Sequence, residues 1–268
     1  MARNETSPGT ALVTGASSGI GATYARKLAL RGYDLILVAR DAARLGALAQ
    51  ELQESAGISA AVLTADLEKA GDVARVEARL REDENIALFV NNAGIGPSGP
   101  LLSGETAYLD RMIAVNVTAA NRLAIAAAQA FVARGRGSLI NIASVVAIMP
   151  ELFNGTYSGS KAFVLALTQS LASELKDHPV RIQAVLPGLT RTEIFDRAGG
   201  SVEALNPDMV MEVDDMVEAA LAGFDDGELV TIPSLEDAGL LAALGAARSA
   251  LGPHLSKRRP APRYRVTN

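Results

Sequence analysis

A doubly wound α/β domain, a parallel sheet with helices on both faces, is the fold class the sequence predicts. Three observations carry it. Short β-branched and apolar runs alternate with longer helical patterns, which implies parallel strands joined by right-handed crossovers. The strand runs are nearly continuous in apolar residues, as suits strands covered on both faces. No internal repeat or Pro/Gly-rich linker divides the 268 residues, so one domain accommodates them.

In chain order, Ala11-Leu-Val-Thr14 forms a first strand that runs into a glycine-rich turn and a helix over 20–31. Leu35-Ile-Leu-Val-Ala39 is the second strand, followed by a helix over 42–54; a third strand over 61–65 precedes a helix over 69–81. The fourth strand, Ile86-Ala-Leu-Phe-Val-Asn91, leads to one long helix over 105–134, and the fifth, over 138–144, to a helix over 157–176. A sixth strand over 180–186 precedes a helix over 214–224, a strand over 229–232 ended by Pro233, and a helix over 235–251. The domain is expected over 1–256, with a basic tail over 257–268. That tail holds Lys257, Arg258, Arg259, Arg263 and Arg265 and no acid, which leaves −10 on the rest of the chain. It reads either as a solvated terminus or as a contact with the acidic body of a neighbouring subunit.

Composition excludes several classes. Apolar residues make up 49 % and charged residues 21 %, enough for a sizeable core. With 25 basic against 30 acidic residues the net charge is −5, contrary to what a general nucleic-acid binder needs. The absence of cysteine excludes disulfides, thiolate nucleophiles, zinc ribbons and iron–sulfur clusters. With only His178 and His254 present, no metal site is expected. The most apolar stretch, 123–133, is far short of the roughly 20 residues that span a bilayer, and the first eight residues lack an apolar signal core. A cytoplasmic protein that binds neither membrane nor nucleic acid is the expectation.

The first strand enters Thr14-Gly15-Ala16-Ser17-Ser18-Gly19-Ile20-Gly21, where a helix begins. A tight glycine turn lets backbone approach a pyrophosphate, and the helix start offers free N–H groups and positive dipole. The residues 15–19 also match a hydrolase nucleophile elbow, Gly-x-Ser-x-Gly. That reading lacks the preceding strands that supply an oxyanion donor, and it leaves Gly21 unexplained.

Tyr157-Ser-Gly-Ser-Lys161, taken with Thr14–Gly21, Asn91-Asn92-Ala93-Gly94 and Ser144, resembles the classical short-chain dehydrogenase/reductase family. The resemblance runs from about residue 10 to 192, with every motif in the family's order. It implies a Rossmann-type sheet, a nicotinamide cofactor and hydride transfer between an alcohol and a carbonyl. Tyr157 and Lys161 are four apart and so share a helix face. A nearby ammonium, helped by an oxidised nicotinamide, is expected to pull the phenol below its reference near pKa 10. That makes Tyr157 the general acid/base. Ser144, at the carboxyl end of a strand, can hydrogen-bond the substrate oxygen as charge develops.

The resemblance implies further roles. Asn116 is the fourth catalytic member, holding a water that links Lys161 to solvent; read by itself it is equally a hydrogen-bonded core asparagine. Asn91 to Gly94 form the sheet-stabilising and adenosine-side motif. Asp66, next to Leu67, contacts the adenine edge. Pro187-Gly188-Leu189-Thr190-Arg191-Thr192 holds the nicotinamide carboxamide and phosphates, although a plain turn reads as well. Lys161 also holds the ribose hydroxyls.

Ala39 stands where an NAD enzyme of this fold carries an acid for both ribose hydroxyls. Arg40 follows, with Arg44 one helical turn on. A 2′-phosphate would meet a guanidinium able to bind it in a bidentate way, so NADP(H) is the expected cofactor. Two alternatives stay open: Asp41 reaches the ribose if the strand register is one or two residues off, or Arg40 is a solvated loop charge.

Expected pocket walls are Ile95, Pro97, Val145, Met149, Phe153, Ile194 and Phe195, so the substrate is a mainly apolar carbonyl compound or its alcohol. A homodimer is expected through the helices over 105–134 and 157–176, by way of an alanine face of Ala119, Ala120, Ala124, Ala127 and Ala128; a tetramer is possible, or the face packs only within the subunit. The competing function is a catalytically silent NADP-binding sensor or scaffold. A change of chemistry within the family, to epimerisation or dehalogenation, is disfavoured by Ser144 and Tyr157 both being present.

Overall fold

The computed structural model describes residues 7–192 and 205–265. Strands β1 (Thr10–Thr14), β2 (Asp34–Ala39), β3 (Ala60–Thr64), β4 (Ile86–Asn91), β5 (Gly137–Ile142), β6 (Val180–Val185) and β7 (Val230–Thr231) form one sheet in the order β3-β2-β1-β4-β5-β6-β7. Every pairing is parallel. The helices are α1 (Gly19–Leu30), α2 (Ala42–Ala56), α3 (Ala70–Glu82), α4 (Thr106–Ile113), α5 (Ala120–Arg134), α6 (Gly155–Glu174), α7 (Val213–Asp225) and α8 (Ala238–Leu251).

Two cores flank the sheet. One joins Ala11, Val13, Leu35 and Leu37 to Tyr24 and Leu28 of α1, Leu45 of α2 and Phe224 of α7. The other joins Leu12, Ile36 and Phe89 to Val76 of α3 and Leu123 and Phe131 of α5. Successive strand residues therefore face opposite cores, which is why β1 and β2 read as unbroken apolar runs. From β1 the chain goes outward to β2 and β3, then returns to β4 on the other side. This reversal opens a crevice at the carboxyl ends of β1 and β4, where ligands bind in such sheets.

The helix expected over 105–134 is helical throughout, but it passes through a π-helical turn at Ala114–Ala119. Buried Asn116 lies in that turn, and its amide bonds both backbone groups of Ile95. A π turn commonly marks a functional position in a helix. The alanine face offers no surface to a partner. Ala119, Ala124, Ala127 and Ala128 are buried in the core against the sheet, and Ala120 packs in a separate cluster with Ala143, Val164 and Ala184. Small side chains there let the helix lie close to the strands.

Asn91 donates from Nδ2 to the Ala120 carbonyl (2.9 Å) and to Asn141 Oδ1 (2.9 Å), and Asn141 donates to Thr168 Oγ1 (3.0 Å). This buried chain ties β4, β5 and α6 to the end of the π turn. The last strand is shorter than expected, Val230–Thr231, and α8 begins at Ala238 because Asp237 caps it, accepting from Gly239 N at 2.8 Å. The chain clusters into two compact units, Met1–Ser234 and Leu235–Asn268. Among the described residues, no helix is long and apolar enough to cross a membrane.

Candidate active site

Ser144 follows β5 in an extended conformation and caps a short 3-10 turn at Val145–Ala147. Its Oγ accepts from Val146 N (3.4 Å) and donates to the Pro187 carbonyl (3.3 Å). Asn154 starts α6 by accepting from Thr156 N and Tyr157 N, and it donates to the Gly99 carbonyl at 3.0 Å. The start of α6 is thereby tied to the segment that follows β4. Tyr157 and Lys161 lie one turn apart there, with the lysine Nζ 5.7 Å from the phenol ring centroid. Lys161 donates to the Ile142 carbonyl at 2.9 Å.

Asn116 joins this group from below. A Cβ on Gly94 would lie 3.3 Å from Asn116 Oδ1 and 3.5 Å from Lys161 Nζ, so all three converge. The Asn116 amide is engaged with Ile95 N and O, both at 2.9 Å, and with Ser160 Oγ at 3.2 Å. Ser160, which sequence reasoning missed, donates in turn to the Tyr157 carbonyl at 2.7 Å. The side chain of Asn116 thus fixes the Gly94–Ile95 backbone.

The electrostatics differ from expectation in one respect. Burial pushes the Tyr157 phenol up to about 12, opposed only in part by its hydrogen bond with Ser144. Burial likewise pulls the Lys161 ammonium down to about 8. The lysine alone does not lower the phenol, because desolvation disfavours the charged form of both groups.

The glycine turn is built by residues at its base. Thr14 Oγ1 accepts from Asn92 N (3.0 Å) and Ala93 N (3.1 Å) and donates to the Val90 carbonyl (3.3 Å), while Asn92 Nδ2 donates to the Thr14 carbonyl at 2.8 Å. Gly15 (φ +68) and Gly19 (φ +51) adopt left-handed backbone, and a Cβ on Gly21 would collide with the Gly15 carbonyl. Thr14 and Gly21 therefore shape the turn from behind. Gly15, Ser17, Ser18, Gly19 and Ile20 face a cleft of about 1120 Å³. Ser18 precedes α1 without a side-chain cap, so the helix start is not closed by its own serine.

The same cleft takes in the other predicted positions. Arg40, Arg44, Asp66, Leu67, Asn92, Ala93 and Gly94 line it, as do Ser144, Tyr157, Lys161, Pro187, Gly188, Thr190 and Thr192. β2 ends at Ala39, and Asp41 caps α2, accepting from Arg44 N (3.0 Å) and pairing with Arg44 Nε (3.5 Å). Ala39 thus ends the strand as the sequence suggests, and Asp41, engaged by its own helix, also lines the cleft. Arg40 pairs with Glu68 at 3.3 Å. Glu68 lines the cleft too and escaped sequence reasoning; only its place two residues after Asp66 hinted at it. Asp66 accepts from Glu68 N (3.2 Å) and pairs with Lys69 (3.5 Å).

At the catalytic end the walls are apolar. Ile95, Pro97, Val145 and Phe153 line the cleft as expected, and Phe153 meets the Tyr157 ring edge-on at 5.6 Å. Met149, expected as a wall, does not line it. Ile194 and Phe195 lie outside the described residues. Leu152, Met209, Val210 and Met211 are additional walls, the last three brought in by a bridge between Thr190 and Met211 that no local pattern reveals.

The short chain dehydrogenase family model matches residues 9–201. Among solved structures, a short-chain dehydrogenase from Sphingobium yanoikuyae in complex with NADPH is 49 % identical with a TM-score of 0.92, covering 94 % of this chain and 98 % of that one. A bulky-bulky ketone specific alcohol dehydrogenase from Comamonas testosteroni is 45 % identical with a TM-score of 0.89, covering 97 % and 99 %. Among curated proteins, a very-long-chain 3-oxoacyl-CoA reductase from Podospora anserina is 35 % identical over 186 residues, 68 % of this chain. The chain spans 55 % of that relative's length, and 59 % of the enzyme of the same name from Pyrenophora tritici-repentis.

Proposed function

We propose that this chain, which belongs to the short-chain dehydrogenase family, is an NADP(H)-dependent oxidoreductase that interconverts a mainly apolar carbonyl compound and its alcohol. The observation that carries the reading is the convergence of Ser144, Tyr157 and Lys161 on one cleft with the glycine turn and Arg40. The residues fit a dinucleotide: left-handed glycines that leave room for phosphate, an uncapped helix start, and a guanidinium beside the second strand. Bound NADPH supplies the hydride. In carbonyl reduction Tyr157, protonated at neutral pH, delivers its phenol proton to the substrate oxygen, and Ser144 donates a hydrogen bond to the same oxygen as charge builds on it. Lys161 would hold ribose hydroxyls of the cofactor with its ammonium, and Asn116 keeps the Gly94–Ile95 backbone in place beside it.

The walls of Ile95, Val145, Leu152, Phe153 and Met209 support an apolar substrate, as does the similarity to an alcohol dehydrogenase specific for bulky-bulky ketones. A panel of aldehydes, ketones and secondary alcohols, followed by NADPH absorbance, tests the reading. NADPH binding with no turnover of any of them would favour the silent sensor or scaffold.

NADP(H) over NAD(H) rests on Ala39, Arg40 and Arg44, and on Asp41 being engaged by α2. Arg40→Ala is expected to lower kcat/KM with NADPH about tenfold or more, the size of a lost hydrogen bond to a charged group, and to leave NADH nearly unchanged. An unchanged NADPH preference would overturn the role of Arg40.

A homodimer through the outward face of α4–α6 remains our reading. With the alanines turned to the sheet, exposed Ile113 and the partly buried Phe163 and Leu167 are the contacts available. Light scattering at micromolar concentration is expected to give twice the chain mass; a monomer there counts against it.

A further inference from the structure

Over residues 94–99 the chain runs past the cleft with no backbone–backbone hydrogen bond among the described residues. Side chains from three other segments hold it instead. Asn116 of the π turn engages Ile95 N and O. Tyr108 of α4 donates its hydroxyl to the Gly96 carbonyl at 2.7 Å, and Asn154 donates from Nδ2 to the Gly99 carbonyl at 3.0 Å. The last two bonds bracket Pro97, which lines the cleft together with Ile95. Glycine backbone resists displacement least, and Gly99 sits at φ +134. A wall residue between two glycines keeps its place through the carbonyls that are tied.

Asn154 makes a second set of bonds with the same amide. Its Oδ1 accepts from Thr156 N (3.0 Å) and Tyr157 N (3.3 Å) at the start of α6. The orientation is fixed, because only the oxygen can accept from the helix and only the nitrogen can donate to Gly99. One side chain therefore spans the Pro97 wall and the turn that carries Tyr157. Aspartate or serine caps a helix as well as asparagine does, so the cap alone does not call for an amide. Aspartate lacks the donor to Gly99, and the serine hydroxyl is one bond shorter. We propose that Asn154 is a positioning residue for substrate selection, fixing the Pro97 wall against Tyr157 so that a bulky ketone meets a wall already ordered. A loose wall has to be ordered on binding, a cost that falls on a ketone large enough to press against it. The inference rests on the oxidoreductase reading above.

The test compares wild type with Asn154→Asp and Asn154→Ser, which both keep a cap and lose the tether. Hydrogen–deuterium exchange of the cofactor-free protein is expected to quicken about threefold or more over residues 95–104 in both variants, and to stay unchanged over 158–165. With NADPH, KM for butyrophenone should rise about fivefold or more, while KM for butanone and kcat for both ketones stay within about twofold of wild type. Tyr108→Phe, which unties Gly96, should raise the same KM. Unchanged exchange over 95–104 in both variants, an equal change for the two ketones, or a loss confined to kcat would each overturn the proposal. A wild type that reduces no ketone would strike the oxidoreductase reading and this role with it; exchange, which needs no turnover, tells that result from a failed tether.

Discussion

Tyr157→Phe is expected to lower turnover about 10³-fold, within the range that positioned proton transfer contributes, while NADPH affinity stays within about twofold of wild type. The substitution removes the phenol oxygen and keeps the ring that packs edge-on against Phe153, so the apolar wall survives. Steady-state kinetics with the best ketone of the panel, alongside fluorescence titration with NADPH, separate the two effects. Turnover within about tenfold of wild type would remove Tyr157 from the role of acid and move attention to Ser144, its hydrogen-bond partner.

Lys161→Ala is expected to damage both quantities, with turnover falling about 10²-fold or more and NADPH affinity about tenfold. The pH dependence carries a second signature. Burial holds the ammonium at about 8 in the free protein, so it is charged below that pH and increasingly neutral above it. If the bound cofactor requires the charged form, its dissociation constant is flat below about pH 8 and rises up to tenfold per pH unit above it. In Lys161→Ala that break disappears. Unchanged NADPH affinity in the variant, or a wild-type profile flat through pH 9, would contradict the ribose-holding role.

Much of the site was legible because its signals are local in the chain. Gly15, Gly19 and Gly21 announce a turn through their own backbone freedom, and Tyr157 and Lys161 share a helix face by spacing alone. Ala39 and Arg40 could be placed because the second strand is a clear apolar run. The contacts that escaped are made between distant segments. Glu68 reaches Arg40 across two strand ends, Ser160 matters through Asn116, and Met209 enters the cleft through the bridge at Met211. The alanines between 119 and 128 suit either a partner or the subunit's own interior, because small residues favour close approach to any neighbour; they pack within the chain.

By itself the sequence determined the parallel α/β architecture and the glycine-rich turn between the first strand and its helix. Periodicity, glycine content and short spacings are properties of a segment that survive without its surroundings. Only the tertiary structure decided the π turn that seats Asn116, the engagement of Asp41 by its own helix, and the direction of the Tyr157 and Lys161 shifts. A proton's affinity depends on how much water the packed chain leaves around the group, and that depends on every segment folded over it.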